Sequence, residues 1–266
     1  MTLKVRPHAP ESDGTVLEIT PKSAGWSHVG FKVVQLDPGK SFDGGEKGRE
    51  ACLVVLSGTA DVTVGDTSFD HVGGRESVFD DVAPGAVFAP AGASYRVTSL
   101  SRVELAIGSA PGSGNGEARR IEPGQMSREV RGQGTNQRFV RNILPETEAA
   151  ESLLIVEVIT PGGHWSSYPP HKHDTATEGE ETALEETYYH RLNPPQGFAF
   201  QRVYTDDRSI DEAIAVEDGD VVMVPRGYHP AGAPHGYDLY YLNVMAGPKR
   251  QWIFRNDPAH DWIVKK

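Results

Sequence analysis

Short apolar segments, separated by Gly, Pro, Asn and Asp, run through the whole chain. This pattern is typical of β-strands joined by turns, because helices would place apolar residues three and four positions apart. Strands are predicted at 15–20, 30–36, 153–160, 198–204 and 221–224. Together with 29 glycines and 19 prolines, these segments predict an all-β fold.

The two halves of the chain repeat one another at two landmarks. An apolar run ends in a Pro-Gly turn at 37–39 and again at 161–163. An apolar strand followed by Pro-x-Gly occurs at 85–92 and again at 219–227. An internal repeat of this kind predicts a tandem of two similar β-barrels.

The composition between the repeats sets the predicted boundaries. Residues 108–116 are rich in Gly and Ser and predict a flexible connector, whereas 117–138 is polar and contains several arginines. We therefore predict an N-terminal domain at 1–107, a linker at 108–138 and a C-terminal domain at 139–266. The polar segment 117–138 is expected to lie along the surface, with a lid as the alternative.

Histidines in the second half have the spacing of metal ligands. His171 and His173 would project to the same face of a strand, while Lys172 between them would face solvent. A glutamate and a third histidine, His229, follow. Three imidazoles and one carboxylate suit zinc, iron, manganese, nickel or copper. The order His-x-His, then Glu opening an aromatic run, then Gly-x5-Pro-x-Gly-x-His resembles the two motifs of the cupin superfamily.

Two glutamates compete for the carboxylate position. In cupins the ligand Glu lies seven residues before the Gly that closes its strand. Counting back seven from Asn193, which tolerates the same left-handed turn, selects Glu186 rather than Glu185. An acidic stretch at 174–185 separates the second histidine from this strand, and it is expected to be either a surface loop or a lid beside the metal.

The first half lacks this ligand set. Counting back seven from Gly58 gives Ala51, and Ser94 stands where the second half has His229. The N-terminal domain is therefore expected to hold no metal of this kind and to serve as a scaffold or a partner surface.

Charge and composition argue against several classes of function. The net charge of −11 at pH 7 argues against nucleic acid as a partner. Cys52 is the only cysteine, so no intramolecular disulfide can form, and its apolar neighbours place it in the core. No run approaches the ~20 apolar residues of a membrane span, and residues 1–10 lack the apolar region of a signal peptide. A cytoplasmic protein without membrane contact is expected.

Longer stretches of the second half carry a resemblance to one family. Residues 171–174, 184–198, 201–209, 219–230 and 240–247 resemble the 5-deoxy-glucuronate isomerase family of myo-inositol catabolism. The first half resembles that family only loosely. The family is related to the uronate ketol-isomerases of pectin breakdown, which share its bicupin plan. The resemblance therefore implies a tandem cupin of two β-barrels or jelly rolls.

The resemblance also implies an activity and a metal site. The reaction is the aldose–ketose isomerisation of 5-deoxy-D-glucuronate to 5-dehydro-2-deoxy-D-gluconate. One divalent metal per chain, zinc before manganese, iron or nickel, is expected at His171, His173, Glu186 and His229. The long separation of His173 from Glu186 departs from the general cupin motif.

Isomerisation through an enediol requires an electrophile and a group that transfers protons. A divalent metal supplies the first. If Glu186 opens a regular strand, Tyr188 and His190 share its inward face and are the candidates for the second. The substrate's carboxylate requires a cation, which Arg202 or Arg226 is expected to offer.

Three other functions stay open from the residues alone: a metal-dependent dioxygenase, a phosphosugar isomerase and a non-catalytic sugar-binding bicupin. The chain contains no Gly-rich loop of the kinds that bind NAD or ATP. A domain that keeps its fold without its site is often retained for packing, so a homodimer or higher homo-oligomer is predicted.

Overall fold

The computed structural model describes residues 2–264; the ends of the predicted domains at 1 and 265–266 lie outside them. The predicted all-β fold is confirmed. The strands are β1 (Lys4–Val5), β2 (Thr15–Ile19), β3 (Gly30–Leu36), β4 (Ser41–Gly44), β5 (Arg49–Ser57), β6 (Thr59–Val64), β7 (Thr67–Gly73), β8 (Gly85–Ala89), β9 (Tyr95–Ser99), β10 (Val103–Pro111), β11 (Arg119–Ile121), β12 (Arg128–Arg131), β13 (Arg138–Leu144), β14 (Leu154–Thr160), β15 (Trp165–Ser166), β16 (His171–Lys172), β17 (Glu185–Asn193), β18 (Ala199–Tyr204), β19 (Asp211–Val216), β20 (Val221–Val224), β21 (Ala231–Gly232), β22 (Asp238–Ala246) and β23 (Arg255–Asn256).

Helices are few and short. One α-helix, α1, spans Pro21–Ala24, and 3-10 helices span Pro123–Gln125, Gly134–Asn136 and Asp261–Ile263. Within residues 2–264, no helix is long and apolar enough to cross a membrane.

The chain forms two compact units. The N-terminal unit contains Pro7–Ser127 and Asn142–Ile155. Its two sheets have the strand orders β11-β8-β5-β10-β3-β2 and β4-β9-β6-β7. Apolar side chains from both sheets, among them Leu53 and Val97, form a single buried core. Cys52 is also buried, as predicted, and burial raises the pKa of its thiol to about 12.

The C-terminal unit contains residues 2–6, Arg128–Arg141 and 156–264. Its larger sheet has the order β1-β20-β17-β22-β14-β13-β12, and a smaller sheet has the order β15-β21-β18-β19. The two short strands β16 and β23 pair with each other. The first strand of the chain thus belongs to this unit, because Lys4 and Val5 pair with β20.

The internal repeat predicted from the sequence is present in the topology. The order β8-β5-β10-β3 in the first unit corresponds to β20-β17-β22-β14 in the second, and β4-β9-β6-β7 corresponds to β15-β21-β18-β19. Each unit is a jelly-roll-like pair of sheets, so the tandem architecture is confirmed.

Strand register also supports the alignment of the two halves. Ala51 pairs with Ala89, and Glu186 pairs with Val224; each partner immediately precedes the proline of its Pro-x-Gly turn. Ala51 therefore occupies the position of Glu186. Ser94 is exposed, so it adds no ligand at the inner face of the first unit.

The two strand-closing residues differ in their backbone. Gly58 has a φ of 84°, but Asn193 is not among the non-glycine residues with positive φ, which in the described chain are His71, Ser167 and Arg208. Asn193 therefore ends β17 without adopting the left-handed conformation that it could tolerate. Pro194 follows it, and a proline disfavours the α-helical backbone conformation at the residue that precedes it.

The predicted linker 108–138 contains the end of β10, the whole of β11 and β12 and the first residue of β13. Strand β10 continues to Pro111, and β11 joins the edge of the N-terminal unit's larger sheet by pairing with β8. Strand β12 instead pairs with β13 in the C-terminal unit. Edge strands satisfy their backbone hydrogen bonds in this way even where their side chains are polar.

Candidate active site

Strand β17 carries three predicted site residues on one face. Glu186, Tyr188 and His190 alternate along the strand and are each at most 1% exposed. The strand lies between β20 and β22, so both its edges are paired and this face is covered. The period-two pattern therefore places the three side chains together, as predicted.

The three histidines of the motif come from two further segments. His171 lies on β16, where it pairs with Asn256, and His173 follows the same strand. His229 comes after β20, just beyond Gly227, whose φ of 95° turns the chain. One ring nitrogen from each histidine lies within 4.8 Å of the other two, and all three rings are buried. Within residues 2–264, this is the one group of three His, Cys, Asp or Glu side chains that could hold a metal.

Glu186 lies beside two of the three histidines. Its Oε2 lies 3.1 Å from Nε2 of His173 and 3.3 Å from Nε2 of His229. The structure therefore brings three of the four expected ligands within 4.8 Å of one another and places Glu186 against His173 and His229, although the four are separated by up to 58 positions in the sequence.

The protonation of the histidines suits metal binding. Burial lowers the pKa of His171 well below its ordinary value, and the neighbouring His229 and His173 lower it further. Burial likewise lowers the pKa of His229 to about 4. For His173, burial acts in the same direction, but the hydrogen bond and charge of Glu186 outweigh it and raise the pKa. Two imidazoles are thus neutral near pH 7, as ligand nitrogens must be.

One buried nitrogen tests whether the group would fit a metal. Nε2 of His229 is buried and has no hydrogen-bond partner, since Glu186 is close enough for an ion pair but out of line for a hydrogen bond. Its Nδ1 is held 2.8 Å from the carbonyl oxygen of Gly227, which orients the ring. A buried lone pair turned towards two imidazoles and a carboxylate fits a divalent metal, whose ligands are oriented in this way.

Tyr188 lies beside the histidines. Its ring centroid is 5.6 Å from that of His229, and its hydroxyl is 2.9 Å from Oγ of Ser167. Burial, and then the charge of Glu186, raise the pKa of Tyr188 well above 10, so the hydroxyl is protonated. Ser167 has a left-handed φ of 50°, a conformation that costs a non-glycine residue on the order of 1 kcal/mol.

His190 is one strand repeat further from the three histidines. Its Nε2 lies 3.0 Å from Oε1 of Gln201, whose Nε2 donates to the carbonyl oxygen of His229 at 3.3 Å. Because the amide nitrogen of Gln201 donates to a carbonyl oxygen, its Oε1 is the atom that faces His190. Oε1 can only accept a hydrogen bond, so Nε2 of His190 carries the proton. Burial lowers the pKa of His190 to about 4, so the ring is neutral and supports His229 through Gln201.

The two arginines expected near the substrate lie elsewhere. Arg202 is exposed, because its neighbour Gln201 takes the inward face of β18, and it forms two hydrogen bonds of 2.9 and 3.0 Å to Asp211. Arg226 is exposed and donates to Oγ of Ser209 at 3.2 Å. The structure brings neither guanidinium to the histidine group.

Lys172 is not the surface residue that strand alternation suggested. It is only 8% exposed, because Nζ lies 2.8 Å from Asp174 and 3.1 Å from Asp206. The carboxylate of Glu181 accepts hydrogen bonds from the backbone N–H groups of Asp174 and Thr175. These contacts hold the acidic stretch 174–185 against the site.

Sequence reasoning missed the residues that surround His171. The ring of Phe254 packs on His171 with 4.5 Å between centroids, and Trp252 follows at 6.1 Å from Phe254. Arg131 lies over the ring of Trp252, and Arg138 is the cross-strand neighbour of Arg131. The several arginines of 117–138 were the one feature of the sequence that could have indicated these residues. Nothing in the sequence connected that segment to the three histidines.

Comparison with known proteins places this arrangement in a family. The model of the KduI/IolB family matches residues 3–263. The chain belongs to the KduI/IolB family. The family predicted from the sequence is therefore confirmed.

Curated relatives in this family share about half of their residues with the chain. It is 52% identical over 258 residues to a 5-deoxy-glucuronate isomerase of Geobacillus kaustophilus (strain HTA426), which covers 97% of this chain and 94% of the relative. It is 47% identical over 252 residues to the 5-deoxy-glucuronate isomerase of Bacillus subtilis (strain 168), covering 94% and 93%.

Solved structures show the same fold. An IolB-like protein from Salmonella typhimurium LT2 superposes with a TM-score of 0.96 at 51% identity, covering 99% of both chains. An oxalate decarboxylase of Bacillus subtilis superposes with a TM-score of 0.66 at 14% identity, covering 96% of this chain and 79% of that one. At such low identity the second likeness concerns the bicupin fold alone.

Proposed function

We propose that the protein is a 5-deoxy-glucuronate isomerase that converts 5-deoxy-D-glucuronate to 5-dehydro-2-deoxy-D-gluconate. The observation that carries this proposal is the combination of about 50% identity to curated isomerases over nearly the whole chain with a buried group of three histidines and one glutamate. The reaction moves hydrogen between adjacent carbons and requires no net oxidation, and hence neither oxygen nor a nucleotide.

His171, His173, Glu186 and His229 would hold one divalent metal ion, for which zinc is our first choice and manganese, iron or nickel the alternatives. Three neutral nitrogens and one carboxylate are common ligands of zinc. When bound, the metal would supply positive charge that stabilises the negative oxygen developing in an enediol-forming reaction.

Tyr188 and His190 have different roles in this proposal, the first as a proton donor and the second in positioning a histidine. Tyr188 is buried, protonated and next to His229, so its hydroxyl is suited to donate a proton or hydrogen bond to a substrate oxygen, with Ser167 as its partner. His190 is better suited to positioning, because its protonated nitrogen is used by Gln201. We propose Tyr188 as the acid–base residue and His190 as the residue that orients His229.

The test of the proposed function is an anaerobic incubation with 5-deoxy-D-glucuronate, followed by NMR of the aldehyde proton, with and without a chelator. Loss of the aldehyde signal with formation of a ketone, suppressed by the chelator, is expected. Turnover only when oxygen or a nucleotide is added would reject the isomerase. Binding of the substrate without any turnover would favour a sugar-binding protein.

Assembly and location form a further part of the proposal. We propose a cytoplasmic homodimer, since closed two-fold assemblies are the commonest and a metal-free domain is available for packing. Sedimentation at micromolar concentration tests the dimer, and a species with the mass of one chain would reject it. The predicted division at 1–107, 108–138 and 139–266 is tested by limited proteolysis.

A further inference from the structure

Two arginines face each other on the inner side of the C-terminal unit. Arg131 and Arg138 are register partners of β12 and β13. Register partners project to the same side of a sheet. Val140, two residues after Arg138, is 4% exposed, which identifies that side as the interior. Like charges directly opposite each other are unfavourable, so this arrangement requires compensation.

The positive charge of Arg131 is offset by other groups of the chain. Its Nε donates to a carboxylate oxygen of Glu129 at 2.9 Å, and its guanidinium lies 5.1 Å from the centroid of the Trp252 ring. An ion pair and a cation–π contact together offset the charge.

Arg138 has no such partner. Nη1 donates to the carbonyl oxygens of Asn136 at 3.1 Å and Tyr168 at 3.4 Å. Within the described part of the chain, no Asp or Glu carboxylate forms an ion pair with it, although the side chain is half-buried. Two neutral acceptors leave the charge of a partly desolvated guanidinium unbalanced, which is costly unless an anion binds.

The position of Arg138 relates it to the histidine group. Tyr168, whose carbonyl oxygen it binds, lies three residues before His171. In space, its register partner Arg131 lies over the ring of Trp252, Trp252 is 6.1 Å from Phe254 between ring centroids, and Phe254 packs on His171 at 4.5 Å. Two routes therefore connect the arginine pair to His171: the backbone of Tyr168, and the packed rings of Trp252 and Phe254.

We infer that Arg138 binds the carboxylate of the sugar-acid substrate, and that its guanidinium, which forms no ion pair within the described part of the chain, fixes which end of the substrate faces the histidine group. This inference rests on the proposed function for the identity of the substrate. A guanidinium can hold a carboxylate through two parallel hydrogen bonds, and only one Nη of Arg138 is used by backbone oxygens. Arg202, by contrast, is already occupied in this way by Asp211.

The first experiment compares 5-deoxy-D-glucuronate with its uncharged carboxamide as substrates of the wild type, Arg138→Met and Arg138→Lys. Arg138→Met should lower kcat/KM for the acid by about 100-fold, as expected for truncating one member of a buried charge pair, and should change kcat/KM for the amide by less than about threefold. Arg138→Lys should recover part of the preference for the acid. Arg208→Gln, which removes an exposed guanidinium of the same unit, is the matched control and should behave as wild type.

A second experiment separates this inference from the proposed function. Calorimetry with D-gluconate and the uncharged D-glucitol measures carboxylate binding without turnover, and metal content and circular dichroism check that Arg138→Met is folded and loaded. Selective loss of gluconate binding is expected in that variant. If Arg138→Met does not fold, Arg138→Lys provides the test: its ratio of kcat/KM for the acid to kcat/KM for the amide should lie between that of the wild type and one.

Several results would overturn the assignment. Equal losses on acid and amide would show that Arg138 acts on the fold and not on the carboxylate. Loss of the acid preference in Arg202→Gln or Arg226→Gln, but not in Arg138→Met, would transfer the role to those arginines. Absence of turnover by the wild type on either substrate would reject the proposed function, whereas wild-type turnover with an unchanged acid preference in Arg138→Met would reject this inference alone.

Discussion

Oε2 of Glu186 lies 3.1 Å from Nε2 of His173, and both side chains are almost fully buried. Burial acts against the charged imidazole, but the hydrogen bond and charge of Glu186 raise the pKa of His173 above its ordinary value. In the metal-free protein the pair therefore retains a proton to higher pH than a free histidine. Metal binding has to release that proton, so the same contact that orders the site also makes its metal affinity dependent on pH.

Glu186→Gln tests the carboxylate ligand. The amide keeps the size of the side chain but removes its charge, and partners of metal ligands alone are worth about 10- to 100-fold in affinity. We therefore expect metal affinity to fall by at least about tenfold, with a matching loss of activity. Glu185→Gln, at the adjacent half-buried position of β17, is the control, since its side chain points away from the histidines. Equal affinities of the two variants, measured by calorimetry with zinc, would remove Glu186 from the ligand set.

The number of metal ions bound per chain tests whether the C-terminal unit alone binds metal. Ala51 occupies the register position of Glu186, so the first unit offers no equivalent carboxylate. One tightly bound metal per chain is expected by elemental analysis, and none after the double change His171→Ala and His173→Ala. Two metals per chain, or full occupancy of the double variant, would show that the binding site lies elsewhere.

His190 should make the protein less stable in acid. The folded state holds its pKa at about 4, against 6.5 for an ordinary histidine. Between these values the unfolded state binds the proton and the folded state does not, so the contribution to stability is present above pH 6.5 and is lost as pH falls towards 4. The shift corresponds to roughly 3 kcal/mol in the free energy of unfolding.

The measurement is urea denaturation of wild type and His190→Gln at pH 7 and pH 4.5. The difference between the two pH values should be smaller in the variant by about 2 kcal/mol. An identical pH dependence in both proteins would mean that His190 is not held neutral by burial.

Glu50 should stabilise the first unit without affecting the site. Its carboxylate is fully buried and accepts hydrogen bonds from the backbone N–H groups of Glu151, Ser152 and Leu153 at 2.8, 2.7 and 2.7 Å. Glu50→Ala would leave three donors without this acceptor and should lower the free energy of unfolding by about 3–5 kcal/mol. Metal content should not change.

Glu46→Ala is the control for Glu50→Ala. The side chain of Glu46 is 71% exposed and lies 3.5 Å from Arg49, and ion pairs with a member in water contribute less than about 1 kcal/mol. A thermal or chemical denaturation series on both variants checks the prediction, and similar small effects in both would contradict a structural role for Glu50.

The sequence by itself determined the fold class, the repeat and the candidate metal ligands, because each can be recognised from short patterns along the chain. Strand periodicity and Pro-Gly turns located β3, β14 and β20, and the spacing of His171 and His173 required only that neighbouring alternate side chains share a face. The position of Glu186 followed from counting along one strand. Information of this kind is contained in short stretches of chain.

Tertiary structure decided which arginine side chains face inward. Arg202 had the right chemistry, but the inward face of β18 is taken by Gln201, and Asp211 pairs with the arginine outside. Arg138 lies in a strand that the sequence placed at the end of a linker, and only the pairing of β12 with β13 turns it inward. Long-range strand pairing sets the direction of such side chains, and no local pattern of apolar and polar residues records it.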